Sequence, residues 1–251
     1  MELKREPLQG VGNIIRFNWP FYVAAFSVII AIVFFKHHLP GPVQPVVLGL
    51  AYLAAITIGV SLLVSFYVYD VSNLYQLNWL PDLNNRRILT INAGFDETSA
   101  MIKTKYPNSE LVICDFFDPK KHTETSIKRA RKAYPPAENT IRVTTAHLPF
   151  PDHAFDEVLA ILSAHEIRDP LERIGFFKEL YRVTKPGGKM YVTEHVRDLN
   201  NFIAYTIGFF HFHSKAAWLR TFNEANLSVK LEIKTTPFIT TFMLEKHGNT
   251  L

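Results

Sequence analysis

Histidines and carboxylates gather in three short stretches in the second half of the chain. The stretches are "SAHEIRD" (163–169), "TEHVRD" (193–198) and "GFFHFHS" (208–214). Imidazole titrates near neutral pH, so a histidine can act as a general base, and a neighbouring carboxylate can orient it. We therefore predict that His165, His195, His211 and His213 surround one cleft and that at least one is the base, with His165, His195 and His211 as the catalytic candidates. A structural or surface role is the alternative for each of them singly.

A metal site is a second interpretation of the last stretch. His211 and His213 are two residues apart, and imidazole is a common metal ligand. The sequence offers no obvious third ligand beside them, so we predict that the protein uses no metal.

A turn that follows the first apolar run predicts a ligand site. The run "ILTINAGFDETSAM" (88–101) passes through Gly94 and an acidic pair into a helical pattern. In open α/β sheets, ligands bind beyond the carboxyl ends of the strands, where glycine lets the backbone approach them. Only one glycine is present, although Asn92 tolerates positive φ and Ala93 is small.

A second acidic position follows the next strand pattern, about twenty residues after the turn. Asp115 ends the run "LVICDFF" and can accept hydrogen bonds from two ribose hydroxyls, while Phe116 can cover an adenine ring. The alternative is a solvated loop aspartate beside a core phenylalanine. A nicotinamide dinucleotide is a rival ligand, but the G-x-G-x-x-G fingerprint is missing.

From about residue 70 onward, short apolar runs alternate with amphipathic segments. The predicted strands are 88–92, 110–114, 140–143, 157–162 and 189–194, and the predicted helices are 97–106, 119–133 and 171–183. This alternation indicates a parallel sheet covered on both faces. A helix at 214–225 and two adjacent strand-like runs should close the fold as an antiparallel pair.

Two longer motifs identify a family resemblance. They are "LPFPDHAFDEVLAILSAHEI" (148–167) and "FFKELYRVTKPGGKMYVTEHVRD" (176–198). Over residues 70–247 the chain resembles the class I S-adenosylmethionine-dependent methyltransferases, in the group of the ubiquinone/menaquinone C-methyltransferases. The resemblance implies an α/β, Rossmann-like methyltransferase sheet that is parallel with a C-terminal antiparallel hairpin.

The resemblance also implies S-adenosylmethionine as the cofactor and a set of residues that contact it. Thr90 and Asn92 stand where the family usually has an acidic residue and a glycine, and Ala146–His147 stand where an acidic residue contacts adenine. The expected cofactor-binding set is Asn92, Ala93, Gly94, Asp115, Phe116, Ala146, His147 and Ser163.

The N-terminal third of the chain contains two long apolar runs without charged residues. Residues 17–35 and 39–69 carry no charge, and about 20 apolar residues span a bilayer as a helix. We predict two transmembrane α-helices, with two buried core helices as the alternative. Lys4, Arg5 and Arg16 precede the first run, which predicts cytoplasmic termini. The predicted domains are a cytoplasmic segment (1–16), a membrane hairpin (17–69) and a cytoplasmic methyltransferase domain (70–251).

Composition limits the partners. The net charge of +4 and the pI of about 9.0 suit a body that lies against anionic lipid. The sequence has no basic stripe with interleaved aromatic residues, so we do not predict nucleic-acid binding. The single cysteine, Cys114, excludes a disulfide within the chain.

The expected acceptor is a lipophilic molecule taken from the bilayer, and the aromatic segment 200–212 should form an apolar lid over its pocket. An ordinary buried helix is the alternative for that segment. A membrane-anchored binding or scaffold protein that has lost catalysis is the alternative function, because Thr90 and Asn92 depart from the family pattern. A nucleotide-dependent reductase is a third candidate.

Overall fold

A computed structural model describes residues 5–247 of the chain. Lys4 and the outermost parts of the predicted first and last domains lie outside the described residues. Within this range the protein has one seven-stranded sheet, helices on its two faces, and two long apolar helices that precede it.

The sheet has the strand order β3-β2-β1-β4-β5-β7-β6. Its strands are β1 (Arg87–Asn92), β2 (Glu110–Asp115), β3 (Ile141–Arg142), β4 (Phe155–Ile161), β5 (Thr184–His195), β6 (Leu227–Thr236) and β7 (Ile239–Lys246). The first five strands pair in parallel, and β7 pairs antiparallel with both β5 and β6. The predicted fold, including the antiparallel pair at its end, is confirmed.

Among residues 5–247, seven α-helices surround or precede the sheet. They are α1 (Gln9–Phe35), α2 (Val43–Phe66), α3 (Ser99–Lys105), α4 (Thr125–Ala133), α5 (Pro170–Val183), α6 (Leu199–Tyr205) and α7 (Lys215–Glu224). A turn of π-helix (Tyr67–Val71) extends α2, and a 3₁₀ segment (Thr206–His211) follows α6.

Helix α3 begins later than its sequence pattern predicts because a side chain fixes its start. Oδ1 of Asp96 accepts hydrogen bonds from the backbone N–H groups of Thr98 and Ser99, each at 3.0 Å. Such a cap satisfies the first free donors of a helix. The turn after β1 therefore runs on to Thr98, which leaves Glu97 in the loop instead of in the helix.

Strand β5 begins before Lys189, where the sequence pattern starts it. Thr184 already pairs with Phe155, and a shift of register separates this pair from the regular ladder. Gly187 takes a φ of +76°, and a Cβ on Gly188 would lie 2.7 Å from the carbonyl oxygen of Asp156. The glycines of "KPGG" thus let the irregular start of the strand lie close to its neighbour.

Helix α1 bends at Asn18, whose φ of −113° and ψ of 17° are not helical. Pro20 causes the bend, since its ring lacks an N–H donor and crowds the preceding turn. Nη1 of Arg129 on α4 donates to the backbone carbonyl of Phe17 at 2.7 Å, beside the bend. The bend therefore lets the first half of α1 pack on the sheet domain while the second half continues away from it.

Both long helices are apolar and long enough to cross a membrane, judged by length and composition. Most of their side chains are exposed, among them Phe34 and Leu63. A core helix of a soluble protein would bury such side chains. The exposed apolar surface therefore distinguishes α1 and α2 from the helices that pack on the sheet.

The start of α1 is joined to the end of α2 through one carboxylate. Asp70 accepts hydrogen bonds from the backbone N–H groups of Gly10 (2.7 Å) and Val11 (2.8 Å). A Cβ on Gly10 would lie 2.4 Å from Cβ of Tyr69, so only glycine permits this approach.

Replacing Asp70 by Ala should lower the free energy of unfolding by about 0.5–2 kcal/mol, because two N–H groups of the first helical turn lose their acceptor. Denaturant unfolding in detergent measures this loss. Asp82, whose Oδ1 accepts from the backbone N–H of Asn84 in an exposed turn, is the matched control. An equal loss in Asp82→Ala would contradict a specific role for Asp70.

Candidate active site

A cavity of about 840 Å³ lies between the sheet and the two long helices. Its floor includes Asn92, Ile161 and His195, which end β1, β4 and β5. Its opposite wall comes from both apolar helices, through residues that include Phe21, Tyr22, Ala25, Thr57, Ile58 and Ser61. The cavity therefore joins the carboxyl edge of the sheet, where open α/β folds bind ligands, to the apolar helices.

All three predicted catalytic histidines line this cavity. His165 lies in the 3₁₀ turn after β4, His195 ends β5, and His211 ends the segment after α6. His213 is not among the lining residues, since its Nε2 lies 3.2 Å from Nη1 of Arg173 and its ring packs against Trp218. The structure thus brings the three histidines together and separates His213 from them.

His165 is held between two carboxylates. Its Nδ1 lies 2.7 Å from Oε2 of Glu194, which is fully buried, and its backbone N–H donates to Oε1 of the same residue at 3.1 Å. Burial alone would lower the pKa of His165, but the carboxylates of Glu194 and Glu166 outweigh it and raise the pKa to about 10. His165 is therefore protonated at neutral pH and cannot accept a proton there.

Glu166 lies between His165 and His211. Its Oε1 is 3.4 Å from Nε2 of His165 and 3.7 Å from Nε2 of His211. Burial alone would raise the pKa of Glu166, but hydrogen bonds from the two histidines hold it well below the usual range. Glu124 also contacts His211, with its Oε1 3.3 Å from Nδ1 of the ring.

His195 has a different environment from His165. Its Nδ1 lies 2.9 Å from Oδ1 of Asn201, and its Nε2 lies 2.7 Å from the hydroxyl of Tyr69. Because the amide oxygen can only accept, Nδ1 carries the proton and Nε2 accepts from Tyr69. Burial lowers the pKa of His195 to about 4, so the ring is neutral and able to take a proton at neutral pH.

Acid should destabilise the fold through His195. The unfolded ring takes up a proton below about pH 6.5, whereas the folded ring does so only below about pH 4, so stability falls as pH drops between these values. The loss reaches up to about 3 kcal/mol. Thermal unfolding at pH 7 and pH 4.5 measures it, and the His195→Gln variant should lose less over this interval. Equal losses in both proteins would contradict the assignment.

The turn after β1 is built around Asn92 and Gly94. Oδ1 of Asn92 accepts from the backbone N–H of Gly94 at 2.9 Å, and Gly94 has a φ of +96°. A Cβ on Gly94 would lie 2.9 Å from the ring of Phe117 and 3.0 Å from Nη1 of Arg131. The turn thus forms with one glycine, but two side chains lie directly against it.

Asp115 is at the end of β2, as predicted, and is 2% exposed. Its Oδ1 accepts from the backbone N–H of Phe117 at 2.8 Å, and its Oδ2 forms an ion pair with Arg131. Phe116 is also buried, and its ring packs against Phe176 in the core at 5.3 Å between centroids. Neither side chain faces the large cavity.

The remaining residues of the expected cofactor-binding set also lie outside the cavity lining. Ala93 is buried, and the hydroxyl of Ser163 donates to the backbone carbonyl of Ile91 at 2.9 Å. Ala146 and His147 are exposed, with Nδ1 of His147 3.6 Å from Oε2 of Glu179. Of that set, Asn92 alone contributes to the cavity lining.

A nucleoside cofactor fits this site in volume and in position. The cavity is within the range of about 300–1,000 Å³ that is usual for small-molecule sites, and it borders the turn after β1. A ligand can reach the carboxylate of Asp115 only when Arg131 turns away. Arg131 is partly exposed, with 18% of its side chain accessible, and its guanidinium lies over the ring of Phe117.

Two groups that close the site, the Arg5–Glu97 pair and Arg131, were not predicted from the sequence. Nη1 of Arg5 donates to Oε1 of Glu97 at 3.0 Å, and the Tyr75 hydroxyl donates to Oε2 of Glu97 at 2.7 Å. Arg131 is the second omission. An arginine inside a predicted helix gives no local signal of a partner 16 residues away, whereas the acidic "DE" after Gly94 could have suggested a cationic partner for Glu97.

Comparisons with known proteins agree with the fold. Residues 121–192 match the family model described as "Methyltransferase domain". The demethylmenaquinone methyltransferase of Thermus thermophilus is 32% identical over 109 residues, which are 43% of this chain and 47% of that protein. The ubiquinone/menaquinone biosynthesis C-methyltransferase UbiE of Geotalea daltonii is 30% identical over 110 residues, 44% of this chain and 46% of that protein. The chain thus spans about half the length of these relatives.

A solved structure extends the comparison over more of the chain. A SAM-dependent methyltransferase from Aquifex aeolicus superposes with a TM-score of 0.51 and 13% identity, covering 75% of this chain and 97% of that one. At this identity the match speaks for the fold alone. The matched domain and the two relatives support the family resemblance that the two sequence motifs predicted, and the solved structure agrees with the predicted fold.

Proposed function

We propose that this chain, a class I S-adenosylmethionine-dependent methyltransferase by its sheet and its matched domain, methylates a lipophilic, quinone-type acceptor. The two curated relatives carry names from quinone biosynthesis, and the matched family model covers the first sequence motif and most of the second. The acceptor class follows from those relatives and from the apolar cavity wall, and it belongs to the proposal.

The observation that carries the proposal is the position of the cavity. It touches the carboxyl ends of β1, β4 and β5 on one side and both apolar helices on the other. A molecule with an apolar tail can place that tail between α1 and α2 while its ring lies beside His195. Residues of both helices, including Phe21 and Ile58, supply the apolar contacts for such a tail.

The residues of the chain have three tasks in such a reaction. Asn92 and the turn it forms, together with Asp115 after Arg131 moves, would hold the cofactor, which when bound supplies a methyl group already activated on a sulfonium. The cavity walls exclude water and hold the acceptor in line. Nε2 of His195 accepts the proton that the acceptor loses, passed through the Tyr69 hydroxyl.

A location at a membrane is part of the proposal. The exposed apolar surface of α1 and α2 continues onto the segment after β5, where Ile207 is 84% and Phe210 64% exposed. A buried helix would cover these side chains, so the segment suits the lid expected from the sequence. We infer that α1 and α2 span the bilayer and that residues 199–211 lie at its surface.

Cofactor binding and methyl transfer are tested on the full chain in detergent. Isothermal titration with S-adenosylmethionine and with its demethylated product should give binding with one site per chain, whereas NADH should give none. Incubation with methyl-labelled cofactor and a lipid extract should then label a lipid-soluble product. No heat at millimolar cofactor would contradict the proposal.

A binding protein without catalytic activity is the second candidate. The ion pair between Arg131 and Asp115 favours it, because the pair occupies the sugar position. This candidate predicts that labelled cofactor binds without labelling any lipid, or that it binds only after Arg131 is removed. Labelled product from the native chain would exclude it.

A further inference from the structure

Two histidines and a glutamate converge at one point on the cavity wall. The donor atoms of His165, Glu166 and His211 all lie within 4.8 Å of one another. All three residues line the cavity. We propose that these three side chains bind one divalent transition-metal ion of the zinc type.

The distances are close to those of a coordination sphere. Zinc binds histidine nitrogen and carboxylate oxygen at about 2.0–2.2 Å, which separates neighbouring donors of a tetrahedral site by about 3.3–3.6 Å. Oε1 of Glu166 is 3.4 Å from Nε2 of His165 and 3.7 Å from Nε2 of His211. Two imidazoles and one carboxylate are a donor set that favours zinc or a similar ion over magnesium.

The second nitrogen of each histidine already has a carboxylate beside it. Nδ1 of His165 lies 2.7 Å from Glu194, and Nδ1 of His211 lies 3.3 Å from Glu124. Metal-binding histidines usually donate their other N–H to such a group, which fixes the ring and strengthens the ligand. In both rings the nitrogen that would bind an ion is Nε2, the atom that faces Glu166; His165 releases the proton from this atom when the ion binds.

The charge around the site favours a cation. Glu166 contacts both histidines, the fully buried Glu194 contacts His165, and Glu124 contacts His211. Arg168 is the competing cation, since its Nη2 lies 2.9 Å from Nε2 of His211. Its side chain is 42% exposed, so it can turn toward solvent when an ion binds.

Three protein ligands leave a fourth position for another group. Because the three ligands line the cavity, this position is accessible to water or to an oxygen atom of a molecule inside it. The metal site does not depend on methyl transfer, since the same residues would bind the ion in a protein without catalytic activity.

Metal titration of the full chain tests the proposal. The protein is prepared without a histidine tag, treated with a chelator and titrated with Zn²⁺, Co²⁺ and Mg²⁺. We expect one Zn²⁺ per chain, a visible absorption band from bound Co²⁺, a higher melting temperature with Zn²⁺, and no effect of Mg²⁺.

Variants locate the ion. His211→Ala and Glu166→Gln should weaken Zn²⁺ binding at least about 100-fold, and Glu194→Gln, which leaves all ligands in place, about 10–100-fold. Arg168→Gln should strengthen binding, because the competing cation is removed. His213→Gln is the matched control, two residues from His211 and outside the site, and should bind as the native chain does.

The proposal is overturned if the native chain binds no Zn²⁺ after chelator treatment. It is also overturned if His165→Ala and His211→Ala bind Zn²⁺ as tightly as His213→Gln, since the ion would then lie elsewhere among the ten histidines. Both readouts are independent of activity, so failure here leaves the methyl-transfer proposal intact, and failure of methyl transfer leaves this one intact.

Discussion

Replacing His195 by Gln should slow methyl transfer by a factor of about 10²–10⁴ while S-adenosylmethionine binds with nearly unchanged affinity. The reason is that His195 is the cavity histidine whose pKa, lowered to about 4 by burial, leaves it neutral at physiological pH. The pKa of His165, raised to about 10, leaves that ring without a free nitrogen for the proton. Single-turnover kinetics with labelled cofactor measure the step directly.

Two further variants separate a catalytic role from a structural one. Tyr69→Phe keeps the ring but removes the hydroxyl that lies 2.7 Å from Nε2 of His195, so it should also slow transfer without unfolding the protein. His213→Gln is the control, because burial lowers the pKa of His213 to about 4 as well and yet its ring does not line the cavity. A rate loss in His213→Gln equal to that in His195→Gln would contradict the assignment.

Replacing Asp115 by Asn should weaken S-adenosylmethionine binding by a factor of about 10–100, because hydrogen bonds from the sugar hydroxyls would lose a charged acceptor. The change keeps the shape of the side chain and the bond from the backbone N–H of Phe117. Arg131→Met should have the opposite effect and strengthen binding, since Arg131 competes for the same carboxylate. Isothermal titration measures both effects.

The double variant makes this test sharper. In Asp115→Asn with Arg131→Met, binding should be weak, because removing the competitor cannot restore the charged acceptor. If Asp115→Asn binds the cofactor as tightly as the native chain, the sugar does not lie at the end of β2, and the predicted role of Asp115 is wrong.

Most of the sheet could be predicted from the sequence because its signals are local. The apolar strand patterns, the turn at Gly94 and the "KPGG" segment each lie within a few residues of the element that they define. The two adjacent strand runs near the C-terminus predicted the antiparallel pair that the structure has. The order of the strands in the sheet was not predicted, because no local sequence pattern specifies which strands become neighbours.

Pairings between distant elements could not be predicted in this way. Glu194 and His165 end different strand–loop units, 29 residues apart, and only the parallel pairing of β4 with β5 brings them together. Arg131 lies in the last turn of α4, and only the packing of this helix brings it to Asp115, 16 residues earlier. The three histidines could be grouped from the sequence, but their protonation could not, since it depends on which carboxylates face each ring.

The first half of α1 is the other feature that the sequence pattern concealed. Helix α1 starts at Gln9, ahead of the uncharged run that begins at Phe17. This early start was not predicted, because Asn13 and Arg16 interrupt the apolar pattern before Phe17. Oδ1 of Asn13 accepts from the Tyr134 hydroxyl at 3.0 Å, so this polar residue of α1 contacts the sheet domain. The apolar helices are therefore part of the cavity wall as well as an expected anchor.

The measurement that tests the central claim most directly is methyl transfer in lipid vesicles that contain the full chain. The substrates are methyl-labelled S-adenosylmethionine and either a prenylated quinol lacking one methyl group or its water-soluble head group. Our account predicts that label enters the prenylated acceptor, and that the head group alone is methylated far more slowly because nothing binds between α1 and α2. Cofactor binding with no label in the lipid, or equal rates for both acceptors, would contradict it.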